Sequence, residues 1–526
     1  MSRRRGALVI AVTAMIGVTA ACSGGSSGSS TTGPNTLRVL AGSELKDMQP
    51  ILDDAKKATG VTLVPEYSGS LDGAEKVAGG APGIDAAWFA SDKYIALAGA
   101  GARILARQRI ALSPVVVGVR QDVAQRLGWS SGDVSWADLA AAAGKGQFHF
   151  AMTNPTASNS GFSALVGLAD ALTGGQALST SNIDKQGITQ FLSGQALSSG
   201  SSGFLVDAYV NDQDRLDGMV NYESVLVTLN QSGRLHQPLT LIYPSEGIVT
   251  ADYPLMLLNA DKRAAFDKVT AYLTRPEVQA RMQQLAARRA VTPGVAPDRR
   301  LSSALLVEAP FPGSLDVAQH LLDEYNTELR RPARTVYVLD MSSSMEGDRV
   351  SRLKQALLGL AGLDNSFTGH FTRFAPREQV TMLPFSTTAQ TPQVFDIDSS
   401  DPASPSLTAV RQYISNLEVG GDTAIFSALD AAYDAALRAH QEDASAYTSI
   451  VLMTDGENNT GISAQQFTDR ITKRPASERD IRIFTVLFGD ANPKELQRVA
   501  SASGGQVFDA RTTSLDAVFK EIRGYQ

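Results

Sequence analysis

Asp340, Ser342 and Ser344, within Asp340-Met-Ser-Ser-Ser344, place a carboxylate and two hydroxyls at alternate positions directly after the apolar run 335–339. Hard oxygen donors at this spacing suit a divalent cation of the Mg²⁺ kind, which prefers oxygen ligands and keeps several waters. The run ahead of them reads as a buried parallel strand, so the oxygens emerge at its carboxyl end, where α/β sheets commonly hold ligands. Two later segments supply more oxygen. Thr423, in Gly420-Gly-Asp-Thr423, stands just ahead of a helical pattern, and Asp455, in Met453-Thr-Asp-Gly456, closes another apolar strand. The plainer alternative is a Ser-rich turn that binds no metal.

These five positions resemble the metal-ion-dependent adhesion site of the von Willebrand factor type A (VWA) family, written Asp-x-Ser-x-Ser, then a distant Thr, then a distant Asp. The resemblance extends over roughly residues 334–526. It implies a doubly wound, Rossmann-like domain with a mainly parallel sheet and Mg²⁺ (or Mn²⁺) as cofactor. Ser342, Ser344 and Thr423 would then approach the metal directly, with Asp340 and Asp455 acting mostly through water. An open coordination position would accept an acidic residue from a partner protein. The tail agrees with this: 481–489 reads as a strand, 493–502 as a helix, and 503–509 as a turn into a last strand. Two positions depart from the usual pattern. Ser343 stands where the family often has Gly, and Asp422 beside Thr423 either adds negative charge near the metal or faces water.

A chain of 526 residues exceeds one ordinary domain, so two or three are expected. The net charge of −7, with no basic run, makes nucleic acid a poor partner. The single cysteine, Cys22, closes an N-terminal pattern: Arg3, Arg4 and Arg5, an apolar stretch over 7–18, and Thr19-Ala-Ala-Cys22. This is similar to a bacterial lipoprotein signal. It implies that Cys22 is lipidated and anchors the rest outside the plasma membrane, the alternative being plain secretion with a free thiol. No other stretch reaches the ~20 apolar residues of a spanning helix. The expected division is a signal peptide over 1–21, a Gly/Ser-rich tether over 22–35, a first globular part over 36–329, a short join over 330–334 and the VWA domain over 335–526.

In the first part, strand patterns at 37–40, 61–64, 84–91, 113–119 and 148–153 alternate with helical ones such as 44–59 and 162–171, an α/β organisation. The order of Gly83-Ile-Asp-Ala-Ala-Trp88, Ser113-Pro-Val-Val-Val-Gly-Val-Arg120, Ser135-Trp-Ala-Asp-Leu139 and Thr153-Asn-Pro-Thr-Ala-Ser-Asn-Ser-Gly161 resembles the type II solute-binding proteins of ABC transporters. The resemblance implies two lobes with a cleft between them, and 113–120 as the crossing strand. Ser43, and Ser158, Asn159, Ser160 and Gly161, stand at helix starts, where hydroxyls and unpaired N–H groups favour an anionic ligand; N-capping alone is the equal alternative. Glu223 would contact a cationic ligand or pair with a lobe arginine. The helical segment 315–329 and the short join predict two domains held close together.

Catalysis has little to draw on. The five histidines are scattered, and His149 reads as a satisfied core residue. Asp85 and Asp92 read as solvated or capping acids, and neither a phosphate-binding Gly-rich loop nor a His-Glu-x-x-His pair occurs. The sequence therefore predicts a lipid-anchored, non-enzymatic envelope protein that recognises an acidic protein partner through its metal site. The alternative is the substrate-binding lipoprotein of an ABC transporter, with the VWA domain as a docking module.

Overall fold

Parallel strands need long crossovers, and the strand–helix alternation supplies them in each half of the chain. The computed structural model describes residues 33–526 except 131, 132, 305, 476, 477, 480 and 512. Cys22, the expected signal and nearly all of the tether lie outside the described residues. In the first lobe, Thr36–Gly42 pairs in parallel with Thr62–Ser68 and Ala86–Trp88, and the antiparallel strands Pro254–Leu257 and Ala106–Arg109 complete the sheet. The second lobe is built on the long strand Ala111–Arg120, which pairs with Thr250–Ala251, Gly218–Tyr222 and Leu239–Ile242; Phe150–Thr153 and Gln195–Ser199 extend it.

The chain first passes between lobes at Ile110 and at Asp252-Tyr253, and it returns to the second lobe's sheet at Arg289–Ala290, which pairs with Ala111 and Leu112. Residues 113–120 therefore lie wholly within the second lobe's sheet, and the crossing falls just ahead of them. The first two passages are tied by a hydrogen bond from Ile110 N to Tyr253 O, 3.3 Å. Three local expectations change. The helix predicted over 44–59 divides into a 3-10 turn, Ser43–Met48, and an α-helix, Gln49–Thr59, because Pro50 lacks an N–H and is tolerated only in a first turn. His149 is not a core residue: its side chain is 49% exposed and faces Asp217, the strand starting one residue later. Asp85 is neither solvated nor a helix cap; it is buried and accepts hydrogen bonds from Arg38 N and Asn259 Nδ2.

The C-terminal sheet runs in the order Gln393–Ile397, Glu378–Phe385, Ala333–Asp340, Tyr447–Thr454, Arg482–Leu487, Val507–Asp509, parallel throughout except for the first, edge strand. Side chains on a strand alternate between faces. Tyr337 and Leu339 accordingly join a core with Leu353, Leu357, Val518 and Phe519, while Val336 and Val338 join another with Phe426, Leu429 and Phe467. Helices thus cover both faces, as a buried parallel sheet requires.

The two halves are locked together. Helix Leu315–Glu324 continues into a π turn, Tyr325–Leu329, and delivers the buried Arg330 to Glu378. Arg523, from the last helix Leu515–Arg523, reaches the same carboxylate at 2.6 Å. Burial pushes Glu378 up, but the two guanidinium groups outweigh it and hold the carboxyl below the ordinary glutamate range. Just beyond, Gly524 presses on the first half: Ser198 Oγ donates to its carbonyl at 2.9 Å, and a Cβ at Gly524 would stand 2.5 Å from Gly200 Cα. Phe371 inserts into the apolar core of the first half, and Arg482 pairs with Asp212 across the same seam.

Glu378→Ala leaves two buried guanidinium groups without their carboxylate and is expected to cost about 3–5 kcal/mol in urea unfolding at neutral pH. Because the folded pKa is depressed, this stability is present above the unfolded glutamate pKa and is lost as pH falls through the folded value, so the gap between the parent and Glu378→Ala should narrow in acid. A constant gap would separate the bridge from acid unfolding.

Candidate functional site

The Asp340 loop leaves the carboxyl end of Ala333–Asp340 and turns into helix Asp348–Leu358. Asp340 is fully buried. Its two oxygens accept from Ser342 N at 2.9 Å and from Thr454 Oγ1 at 2.6 Å, while burial pushes the carboxyl up against these bonds. A chain of contacts then runs outward: Ser342 Oγ lies 3.0 Å from Ser344 Oγ, and Ser344 Oγ donates to Asp455 Oδ1 at 2.8 Å. Thr423 is brought alongside by backbone bonds, Ser343 N to Gly421 O at 3.0 Å and Gly420 N to Met341 O at 2.8 Å. Gly421 has a positive φ of 88°, and a Cβ there would meet Thr387 Oγ1 at 2.7 Å, so the loop needs glycine.

Asn459 clamps Thr423 from the far side, accepting from Thr423 N at 2.8 Å and donating its own N–H to Thr423 O. The Thr423 hydroxyl, on a residue only 5% exposed, has no hydrogen-bond partner among the described residues. Ser344 is exposed, so the group opens to solvent there, and Asp422 and Ser343 face water. All five predicted oxygen residues therefore gather at one end of the sheet. No group of three or more His, Cys, Asp and Glu occurs among the described residues; this cluster has two carboxylates and draws the rest from hydroxyls. Such a donor set, with the Thr423 hydroxyl not taken up by the protein, fits a hard divalent cation.

Arg349 was not foreseen from the sequence. Its Nη1 donates to Asp455 Oδ2 at 2.5 Å and its Nη2 to Asp490 Oδ2 at 3.0 Å, and these carboxylates push the guanidinium pKa up. One oxygen of the second acid is thus already balanced by a protein cation. The position, on the first turn of the helix after the loop, was the available signal.

The lobes enclose a second site, a cavity of about 680 Å³. Ser43 lines it, and its Oγ accepts from Gly203 N of the second lobe at 3.2 Å. Ser158, Asn159, Ser160 and Gly161 are buried in the seam and bonded to protein: Asn159 to Ser91 and Tyr222, Ser160 to Thr153 and Ser202, Gly161 N to Thr153 Oγ1. None of these four is on the cavity wall. Glu223 is fully buried in a two-bond pair with Arg289, both 2.7 Å, and takes the Tyr243 hydroxyl, which is the arginine-pairing alternative. The wall includes Asn154 and Ser201 instead, and also Thr368, Phe371, Lys520 and Glu521 from the C-terminal half.

Against known families, residues 37–284 match the bacterial extracellular solute-binding proteins and residues 336–521 match the von Willebrand factor type A domain. The chain joins a solute-binding domain to a VWA domain. Both are binding families, and VWA domains commonly bind a divalent metal. The inter-alpha-trypsin inhibitor heavy chain H4 of Bos taurus is 25% identical over 178 residues, 33% of this chain; the match spans only 18% of that relative's length. Among solved structures, the periplasmic binding protein AfuA of Actinobacillus pleuropneumoniae, with fructose-6-phosphate bound, is similar at TM-score 0.46 and 13% identity, over 56% of this chain and 98% of that one. Iron-bound HitA of Pseudomonas aeruginosa is similar at TM-score 0.44 and 15% identity, over 55% and 98%.

In calorimetric titration with Mn²⁺, Thr423→Ala and Ser344→Ala are each expected to weaken binding by about ten-fold or more, on the scale seen when a metal site loses a supporting group. Arg349→Ala, which frees an Asp455 oxygen from its guanidinium, should tighten it. Unchanged affinity in Thr423→Ala would remove that residue from the ligand set.

Proposed function

We propose that the chain is a lipid-anchored, extracytoplasmic binding protein whose VWA domain recognises an acidic group on a partner protein through a Mg²⁺-dependent adhesion site. The observation that carries this reading is the convergence of Ser342, Ser344, Thr423, Asp340 and Asp455 at one solvent-open end of the sheet. A bound cation supplies there a positive charge with a coordination position open to an outside carboxylate. The protein's own part is to hold the donors still. Asp340 is fixed by Ser342 N and Thr454, Thr423 by Asn459, and Asp455 by Ser344.

The solute-binding match supports placement outside the plasma membrane, and Cys22 supports the lipid anchor. No helix among the described residues is long and apolar enough to cross a membrane. A second reading, delivery of a small solute to an ABC permease with the VWA domain as docking module, is favoured by one observation, the 680 Å³ cavity between the lobes, which is of small-molecule size.

The test of the adhesion reading is pull-down of cell-envelope proteins by the full chain in Mg²⁺ and in EDTA. Capture should require Mg²⁺ and be abolished by Asp340→Ala and Thr423→Ala; capture that survives chelation and both substitutions would end the reading. For the anchor, Cys22→Ala should move the protein from the membrane fraction to the medium, and its retention on membranes would refute lipidation as the tether.

A further inference from the structure

The cavity between the lobes has a third wall, contributed by the VWA domain. We propose that it binds a small amine, with the ammonium group held between Asp72 of the first lobe and Glu521 of the last helix, so that the solute site is complete only when the two domains are docked. The inference rests on the solute-binding reading above and names its ligand class.

Nearly every charge on the wall already has a partner. Lys76 pairs with Glu66 at 2.8 Å, Lys520 with Asp364 at 2.6 Å and Asp516 at 3.2 Å, and Arg523 with Glu378 at 2.6 Å. Glu75 accepts the backbone N–H of Thr368 at 2.8 Å. The carboxylates of Asp72, on helix Ser70–Ala78, and of Glu521 have neither hydrogen bond nor ion pair among the described residues, although both residues line the cavity. Two carboxylates left over on the wall of one cavity repel an anion and attract a cation.

Three further features point to an ammonium rather than a bare metal ion. Tyr67 and Phe204 also line the cavity, and the Lys46 ammonium sits over their rings, 5.5 and 5.3 Å from the centroids. These rings therefore already bind an organic cation of the protein's own. Ser201, on the wall and 5% exposed, carries a hydroxyl with no partner, an acceptor for an N–H donor. The volume of about 680 Å³ takes a small organic molecule, not a single ion.

The electrostatics give the pH dependence. Burial pushes Asp72 up against Lys520 and Lys76, and burial followed by the Asp72 charge pushes Glu521 up to about 7, opposed by Lys46. The groups facing Glu521 are Lys46 on the turn Ser43–Met48, Asp72 on its helix, and Tyr525 beyond the last helix. A bound ammonium favours the ionised carboxylate. Binding therefore releases a proton near neutrality and tightens as pH rises through the Glu521 value.

The experiment is calorimetric titration of the full chain with three probes of similar length: putrescine, succinate and butanediol. Putrescine alone should bind, roughly ten-fold tighter at about pH 8 than at about pH 6, and Asp72→Asn and Glu521→Gln should each weaken it at least about ten-fold. Both substitutions remove a carboxylate whose charge desolvation disfavours, so the free variants should melt no lower than the parent. Binding of succinate or butanediol as tight as that of putrescine would overturn the amine assignment and leave solute binding standing. Heat from none of the three would overturn both. Putrescine binding that Glu521→Gln leaves unchanged would remove the VWA domain from the site.

Discussion

Glu378 is the constraint on which the arrangement of the two domains depends. It sits buried at the start of a sheet strand and receives Arg330 from the join and Arg523 from the last helix. A buried carboxylate without a partner is costly, and so is a buried guanidinium; one acid shared by two arginines relieves all three only if the join and the terminal helix arrive together. The second positive charge is absorbed by carbonyls, with Arg523 donating to Thr372 O and Arg373 O and Arg330 to Asn326 O. The last helix is therefore fixed in position by charge as well as by its apolar face.

That position has consequences at both ends of the molecule. Toward the first half, the helix and Gly524 close on Gly200 and Ser198 and bring Glu521 and Lys520 to the cavity between the lobes. Toward the Asp340 loop, Val518 and Phe519 pack in the same core as Leu353 and Leu357 of helix Asp348–Leu358, the helix that follows Asp340-Met-Ser-Ser-Ser344 and carries Arg349. One element thus touches the wall of the cavity between the lobes and the support of the Asp340 loop. Close-packed cores transmit displacement poorly tolerated by either side, so the two sites share a rigid member rather than a flexible link.

Much of this was legible beforehand, and for physical reasons. The Asp340 loop, the helix Pro493–Ala502 and the last strand were readable because each is local: apolar runs of strand length, Pro in a first helical turn, and oxygen-bearing side chains at fixed spacing after a strand. The five oxygen residues did converge. Less legible were residues whose surroundings come from elsewhere in the chain. Ser158 to Gly161 have the right types for a ligand loop, but the Thr153, Ser91 and Ser202 groups that satisfy them could not be placed by sequence spacing. His149 sits beside an apolar strand yet faces Asp217, because a strand's first residue is set by pairing and not by its own hydrophobicity.

The sequence by itself determined the two α/β halves, the oxygen-bearing side chains of the Asp340 loop and the presence of one N-terminal cysteine. These follow from periodicity and short-range spacing, which the backbone converts into faces and turns without reference to distant residues. Only the tertiary structure decided that Glu223 belongs to Arg289, that Arg349 balances Asp455, and that the VWA domain's last helix walls the cavity between the lobes. The first two are pairings of charges far apart in the chain, and the third sets a helix against residues that precede it by hundreds of positions. Burial makes an unpaired charge expensive, so folding must supply partners, but which partner is supplied depends on how the domains close.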